Sequence, residues 1–454
     1  MKNNFLKRLE NAIPGGAHTY SKGKDQVPNN FPVILKKGFG AYVFDSNNNK
    51  FLDYGMGLRS VGVGYGNKEI LAAAMKQAGL GNNLSKPSYV ELKAAEKIIK
   101  LIDSAEMVKF TKNGSSALTA AVKLSRAYTN KKIVLVCKEH PFFSYDDWFI
   151  GSTVMKRGIP NNIHNLTKSF NYNDIESLKK VIKKFKNKIA CLVLEPSTNT
   201  CPKIEGISEP CCGKKKCDRD FKKKNHFLKK VEKICKKEKI IFILDEMITG
   251  FRRNIKGAQY DFGIKPDLST FGKAMGNGFS IAALVGKRKI MSLGSINKND
   301  NKERVFLLST THGAEMSPLG AFLKNLDLYK KKKIIKKIWN YGFKLITEAN
   351  KLVKEYSLND YIFFLGPAYS PDFLCLDIDK KKSLEFKTLF IQEMANNGVL
   401  MNCISISYSH GDNELKITLN AIEKTLKIYK KALSEGINKY LSGDVIKPVF
   451  RRYN

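Results

Sequence analysis

The sequence is poor in acidic residues. Its 454 residues hold 42 Asp and Glu against 79 Lys and Arg, a formal net charge of +37. It is poor in Arg as well, with 11 of the 79 basic residues, which leaves 68 Lys. That skew argues against a protein selected to grip phosphates, because the planar guanidinium fork binds them better than an ammonium does. Zinc-finger spacing, an RNP-like aromatic run and an Arg-rich stripe are all missing, so nucleic acid is not an expected partner. Long hydrophobic runs are missing too. Stretches such as Ile240 to Leu244 fall far short of the roughly 20 apolar residues a spanning helix needs. The opening MKNNFLKRLENAIPGG carries charges through its apolar stretch and is not read as an export signal. The reading is therefore no membrane, a cytoplasmic location and nine reduced Cys.

What is present is a globular composition. Hydrophobic content of 43% excludes wholesale disorder despite the charge. The excess Lys reads as solvated surface, and the Lys runs as exposed helix faces. Short apolar runs at Val108 to Phe110, Ile133 to Cys137, Ala190 to Leu194, Ile240 to Leu244 and Ile281 to Val285 alternate with helical patterns, notably Ser115 to Tyr128 and Phe227 to Lys237. Such alternation predicts an α/β fold with a mostly parallel sheet covered on both faces. Ser88 to Glu91 reads as a capping box opening a helix. Ala41 to Asp45, Asn47-Asn48-Asn49 and Lys50 to Asp53 read as a hairpin. The expected organisation is an N-terminal segment 1–60, a large domain 61–320 and a small α/β C-terminal domain 321–454.

In such a sheet ligands bind beyond the C-terminal ends of strands. After Val108 to Phe110 comes Thr111-Lys112-Asn113-Gly114-Ser115-Ser116 and then a helix, either a phosphate cradle or a small-residue cap. After Ile240 to Leu244 comes Asp245-Glu246-Met247-Ile248-Thr249-Gly250-Phe251-Arg252, with an acid poised to face a ligand or to cap a helix. Further on, Lys273 stands among small and apolar residues in Ser269 to Phe279. A desolvated Lys has a depressed pKa and suits Schiff-base chemistry. The stretch is not a P-loop, since Asp267 and Ala274 occupy the positions of the first Gly and the Ser/Thr. Gly62-Val63-Gly64-Tyr65-Gly66 is read as a turn rather than a dinucleotide loop.

Together with Pro14-Gly15-Gly16, Glu195-Pro196 and Ser309-Thr310-Thr311-His312-Gly313, these motifs resemble the class-III aminotransferases over nearly the whole chain. Within that family they are most similar to the glutamate-1-semialdehyde 2,1-aminomutase branch. The resemblance implies a PLP-dependent transferase of fold type I, with pyridoxal 5′-phosphate (PLP) as cofactor and a homodimer as the working unit. It implies that Lys273 forms the Schiff base and shuttles a proton, and that Asp245 keeps the pyridinium nitrogen protonated. By the same resemblance Gly114, Ser115 and Ser116 hold the phosphate. Phe142, with Phe143 as the alternative, stacks on the ring, Met247 covers its other face and Glu195 lies near the cofactor. Thr311 reaches the phosphate held by the neighbouring subunit. The expected activity is amino transfer or an amino shift, with decarboxylation or racemisation as lesser alternatives.

The chain departs from the branch at Phe142-Phe143-Ser144, at Asn113-Gly114-Ser115-Ser116 and, most consequentially, at Lys22. The Arg that the aminomutase uses for the substrate carboxylate aligns with Lys22, which points to a different carbonyl substrate, such as a sugar-derived one in polysaccharide synthesis. Arg59 and Arg252 are further candidates for a substrate carboxylate, or else members of structural ion pairs. Finally, Cys201, Cys211, Cys212 and Cys217 fall in a Lys-rich insertion of about residues 197–225. They form no Cys-x-x-Cys pair, so an unliganded surface insertion is expected rather than a zinc site.

Overall fold

The computed structural model describes residues 2–140, 142–197, 200–207, 221–296 and 303–453. Cys211, Cys212 and Cys217 lie outside them. Contacts group residues 2–67 with 336–451 as one unit, and 68–207 with 221–335 as another.

The first unit joins the two ends of the chain. Strands β1 (Leu35–Phe39), β2 (Tyr42–Asp45) and β3 (Lys50–Asp53) form an antiparallel meander. The β2–β3 turn is the Asn-rich one expected. Asp45 Oδ1 accepts the Asn47 and Asn49 amides at 2.9 and 2.8 Å, and Asn48 takes φ +64°.

The second unit is built on seven strands: β4 (Met107–Thr111), β5 (Ile133–Cys137), β6 (Thr167–Phe170), β7 (Ile189–Leu194), β8 (Ile241–Glu246), β9 (Leu268–Phe271) and β10 (Ala282–Gly286). Their order is β4-β10-β9-β8-β7-β5-β6. β10 runs antiparallel to both neighbours and the other pairings are parallel, so six strands point the same way. Every residue of β7 and β8 is buried, as central strands covered on both faces must be. This is the mixed, mostly parallel sheet of fold type I. The helix Tyr89–Leu101 is capped as read, with Ser88 Oγ accepting the Glu91 amide at 3.2 Å.

In the first unit, β11 (Ile362–Leu365) and β12 (Asp372–Cys375) form a hairpin, and β13 (Val399–Leu400) pairs in parallel with β3. Residues from the N-terminal segment thus share a ladder with residues from near the C-terminus. The helix Met316–Lys331 runs through residue 320, where a boundary was expected, and packs within the second unit on the helices Lys68–Ala78 and Tyr89–Leu101. Pro318 falls in its first turn, where a missing N–H costs nothing. Among the described residues, no helix is long and apolar enough to cross a membrane.

His226 precedes the helix Phe227–Lys237 and is fully buried, edge-on to Phe221 and Phe262. Its Nε2 bonds the Phe262 carbonyl at 2.9 Å, and burial pulls its pKa down to about 4. The unfolded chain binds this proton below about pH 6.5 whereas the folded chain waits until about 4, so stability falls as pH drops through that window. Melting temperature should decline over this range, with His226 contributing up to about 3 kcal/mol. His226→Gln, which keeps a donor for the Phe262 carbonyl but does not titrate, should give a shallower slope.

Candidate active site

The six co-directed strands deliver their C-terminal ends to one edge of the sheet. Asn113 and Gly114 follow β4, Glu195 follows β7, Asp245 and Glu246 end β8, and Gly272 and Lys273 follow β9. Motifs that lie up to 160 residues apart in sequence thus come to one edge because parallel strands must all exit on the same side.

Asp245 is buried and half-satisfied. Its Oδ1 accepts the Met247 amide at 2.9 Å and the Thr270 hydroxyl at 3.2 Å. Among the described residues Oδ2 takes no hydrogen bond. Burial pushes the Asp245 carboxyl up, and the Glu195 charge adds to this; the Met247 amide, the Lys273 ammonium and Thr270 pull it back. Lys273 therefore compensates the buried carboxylate only in part, and a further positive charge beside it would be stabilising.

The neighbouring Glu246, fully buried, is by contrast saturated. It accepts from Thr249 Oγ1 (2.8 Å), the Ala258 and Gln259 amides (2.7 and 3.0 Å) and Gln259 Nε2 (3.3 Å). Glu246 therefore closes the loop after β8, while Asp245 faces what binds beyond the strand.

The helix Gly114–Thr129 begins at Asn113, whose Oδ1 accepts the Ser116 amide at 2.9 Å. That leaves the Gly114 and Ser115 amides without acceptors among the described residues, at the positive end of a 16-residue helix. Ser115 Oγ accepts the Tyr145 amide at 3.3 Å, and Ser116 Oγ lies 3.4 Å from the Tyr145 hydroxyl. Two glycines enclose Met247. A Cβ at Gly114 would stand 2.8 Å from its Sδ, and one at Gly272 2.6 Å from the same atom. Gly114 is thus required by Met247 as well as by the helix start.

Lys273 opens a 3₁₀ turn, Lys273–Met275, at φ +46°, a conformation that costs an L-residue about 1–3 kcal/mol. Glu195 is buried, and its amide donates to His140 Nδ1 at 3.2 Å, so the His140 proton sits on Nε2. Burial lowers the His140 pKa, against the pull of Glu195 and Glu139.

The remaining sequence candidates fall in different surroundings. Phe143 is 2% exposed and sits edge-on to His140 and Phe149, whereas Phe142 is 51% exposed. Thr311 lies on an exposed loop, its carbonyl accepting from Asn83 Nδ2 at 3.1 Å. Lys112, which the sequence reading passed over, forms an ion pair with Glu315 that ties this loop to the end of β4. Arg252 is buried at 1% exposure, near enough to Tyr329 that its charge opposes the burial raising that hydroxyl to about 12. It is enclosed in the core of the second unit. Lys22 and Arg59 belong to the first unit. Lys22 is exposed. Arg59 ends a left-handed turn, Met56–Arg59, and bonds the Cys403 thiol. Cys201 is buried, with the Ser197 hydroxyl donating to its Sγ at 3.7 Å. Thr270 and His140 also touch the site; Thr270 lies within the Ser269 to Phe279 stretch, and His140 two residues before Phe142.

The family model of the class-III aminotransferases matches residues 24–201 and 215–433. The chain belongs to the class-III aminotransferases. It is 28% identical to a 3-aminobutyryl-CoA aminotransferase of Cloacimonas acidaminovorans over 94% of this chain and 97% of that one. It is also 28% identical to a glutamate-1-semialdehyde 2,1-aminomutase of Fusobacterium nucleatum, over 93% and 96%. Among solved structures, the FumI protein of Sphingopyxis sp. MTA144 superposes with a TM-score of 0.81 at 22% identity, over 95% and 97%. A β-phenylalanine aminotransferase of Variovorax paradoxus gives 0.77 at 18%, over 95% of each chain.

This class-III aminotransferase is thus an enzyme that moves amino groups with PLP. The site fits that cofactor. Asp245 could accept from a protonated ring nitrogen, the Gly114 and Ser115 amides could donate to a phosphate, and Gly114 and Gly272 both pack against Met247. Gly272→Ala should displace Met247 and weaken PLP binding about tenfold with the fold intact. Adding Met247→Ala should recover part of the loss. Titration of the cofactor's absorbance measures both.

Proposed function

We propose that this enzyme transfers an amino group from a donor to a small carbonyl substrate other than glutamate 1-semialdehyde. The reading is supported by Lys22, which by the family resemblance falls where the aminomutases would place a carboxylate-binding Arg. A compact ammonium does not reproduce the two parallel hydrogen bonds of a guanidinium. Bound PLP supplies an electron sink for the carbon that bears the amino group. Lys273 holds the cofactor covalently and moves the proton at that carbon. Asp245 keeps the ring nitrogen protonated, and the Gly114 and Ser115 amides, with Ser116, hold the phosphate. Phe142 is favoured over Phe143 for stacking because it is the exposed ring of the pair. Glu195 raises the proton affinity of Asp245 from close by. Arg252, being enclosed, suits a structural role better than a substrate contact; Arg59 remains a candidate for an acid group of the substrate. The amino-shift reading is favoured instead by the aminomutase relative, matched nearly end to end.

The deciding measurement supplies glutamate 1-semialdehyde without an amino donor. No turnover is expected, whereas an amino acid donor with the right aldehyde or ketone should react. Isomerisation of glutamate 1-semialdehyde would overturn the reading in favour of the amino shift. Lys273→Ala should lose both the yellow absorbance band and activity.

We also infer a homodimer. Leu71 and Met75 are exposed one turn apart on the helix Lys68–Ala78, and Leu80, Leu84, Tyr89 and Leu92 follow. Asn82 and Asn83 join this stretch to the Thr311 loop, by bonds from the Met316 amide and to the Thr311 carbonyl. A second copy of the chain seated on these side chains would remove them from water. Leu71→Glu with Met75→Glu should give a monomer in light scattering and weaken PLP retention, since Thr311 of a partner would be lost. A wild-type monomer would refute the dimer.

A further inference from the structure

The helix Met316–Lys331 buries Leu319, Phe322, Leu326 and Tyr329 at helical spacing, a stripe that belongs to the core. Asn325 lies on the same stripe and is 1% exposed. Its Nδ2 donates to two carbonyls, Ala274 at 2.8 Å and Met275 at 3.0 Å. Two acceptors facing one atom settle the amide's orientation, since an oxygen there would meet two carbonyl oxygens. Its Oδ1 is buried without a hydrogen-bond partner among the described residues. Helix packing does not explain such a residue. An apolar side chain would fit the stripe but would leave the Ala274 and Met275 carbonyls without this donor.

The two carbonyls belong to the 3₁₀ turn that Lys273 opens. Within the turn the Met275 amide bonds the Gly272 carbonyl at 3.0 Å, and the Gly276 amide bonds the Lys273 carbonyl at 3.1 Å. The Ala274 and Met275 carbonyls are answered by Asn325. The turn carries its strain at its first residue, where Lys273 takes φ +46°. A disfavoured conformation persists when its surroundings over-determine it, and Asn325 is the side chain that clamps this one from outside.

We propose that Asn325 is a positioning residue for Lys273: it locks the lysine's turn in its left-handed conformation and thereby sets where the amine stands during catalysis. This rests on the reading of Lys273 as the Schiff-base lysine. Asn325→Asp keeps the shape, removes both donors at neutral pH and sets a carboxylate against two carbonyls. It should lower kcat about 10- to 100-fold while KM for the amino donor stays within about threefold. In cofactor-free protein, hydrogen exchange at amides 272–276 should accelerate while the rest of the sheet is unchanged. Asn325→Ser, with one short donor, should fall between Asp and wild type, and carries the test if the Asp variant does not fold. Wild-type kcat, wild-type exchange at 272–276, or kcat lost only together with global protection would overturn the proposal. If wild-type protein fails to bind PLP, it is the reading of Lys273 that falls, and exchange in the cofactor-free protein still decides the role of Asn325.

Discussion

The site depends on one constraint: a carboxylate at the end of a fully buried strand has to be matched by positive charge. Asp245 is fixed through one oxygen by Met247 and Thr270, and its second oxygen is left open. Burial and the Glu195 charge together make the bare anion unfavourable. The edge of the sheet is arranged around that demand. The lysine turn follows the strand that supplies Thr270, and the start of the helix Gly114–Thr129 follows β4 at the edge of the same sheet. Glu246, one residue on, shows the alternative fate of a buried acid. It is saturated by four donors and so shapes the loop instead of awaiting a ligand.

Much of this was legible in the sequence. Short apolar runs separated by helical patterns gave the parallel sheet, because strands buried on both faces cannot alternate polar and apolar residues. The chemistry followed from what stood after each run. β6 escaped notice: Thr167–Phe170 is a short edge strand with a polar, half-exposed middle. β9 was read only as the approach to Lys273, since Leu268–Phe271 is four residues long. The pairing of β3 with β13 was out of reach because a two-residue strand leaves no periodicity to find.

The tertiary partners of the site were the least visible. That Gly114 makes room for Met247 depends on two strand ends meeting, which local spacing does not encode. Asn325 was concealed for the opposite reason. It looks like a flaw in an apolar stripe until the carbonyls opposite are seen. Lys112 illustrates the masking effect of composition. Among 68 lysines, one that is paired with Glu315 across 203 residues reads like any other.

The β3–β13 ladder has a consequence for biosynthesis. About 350 residues separate Leu52 from its partner Val399. At ribosomal speeds of 5–20 residues per second, the meander waits roughly 20 to 70 seconds for the strand that completes its sheet. The second unit, whose strands all lie between, is finished first. The nascent chain therefore carries an open β edge through most of its own synthesis, and that edge is where a chaperone would be needed.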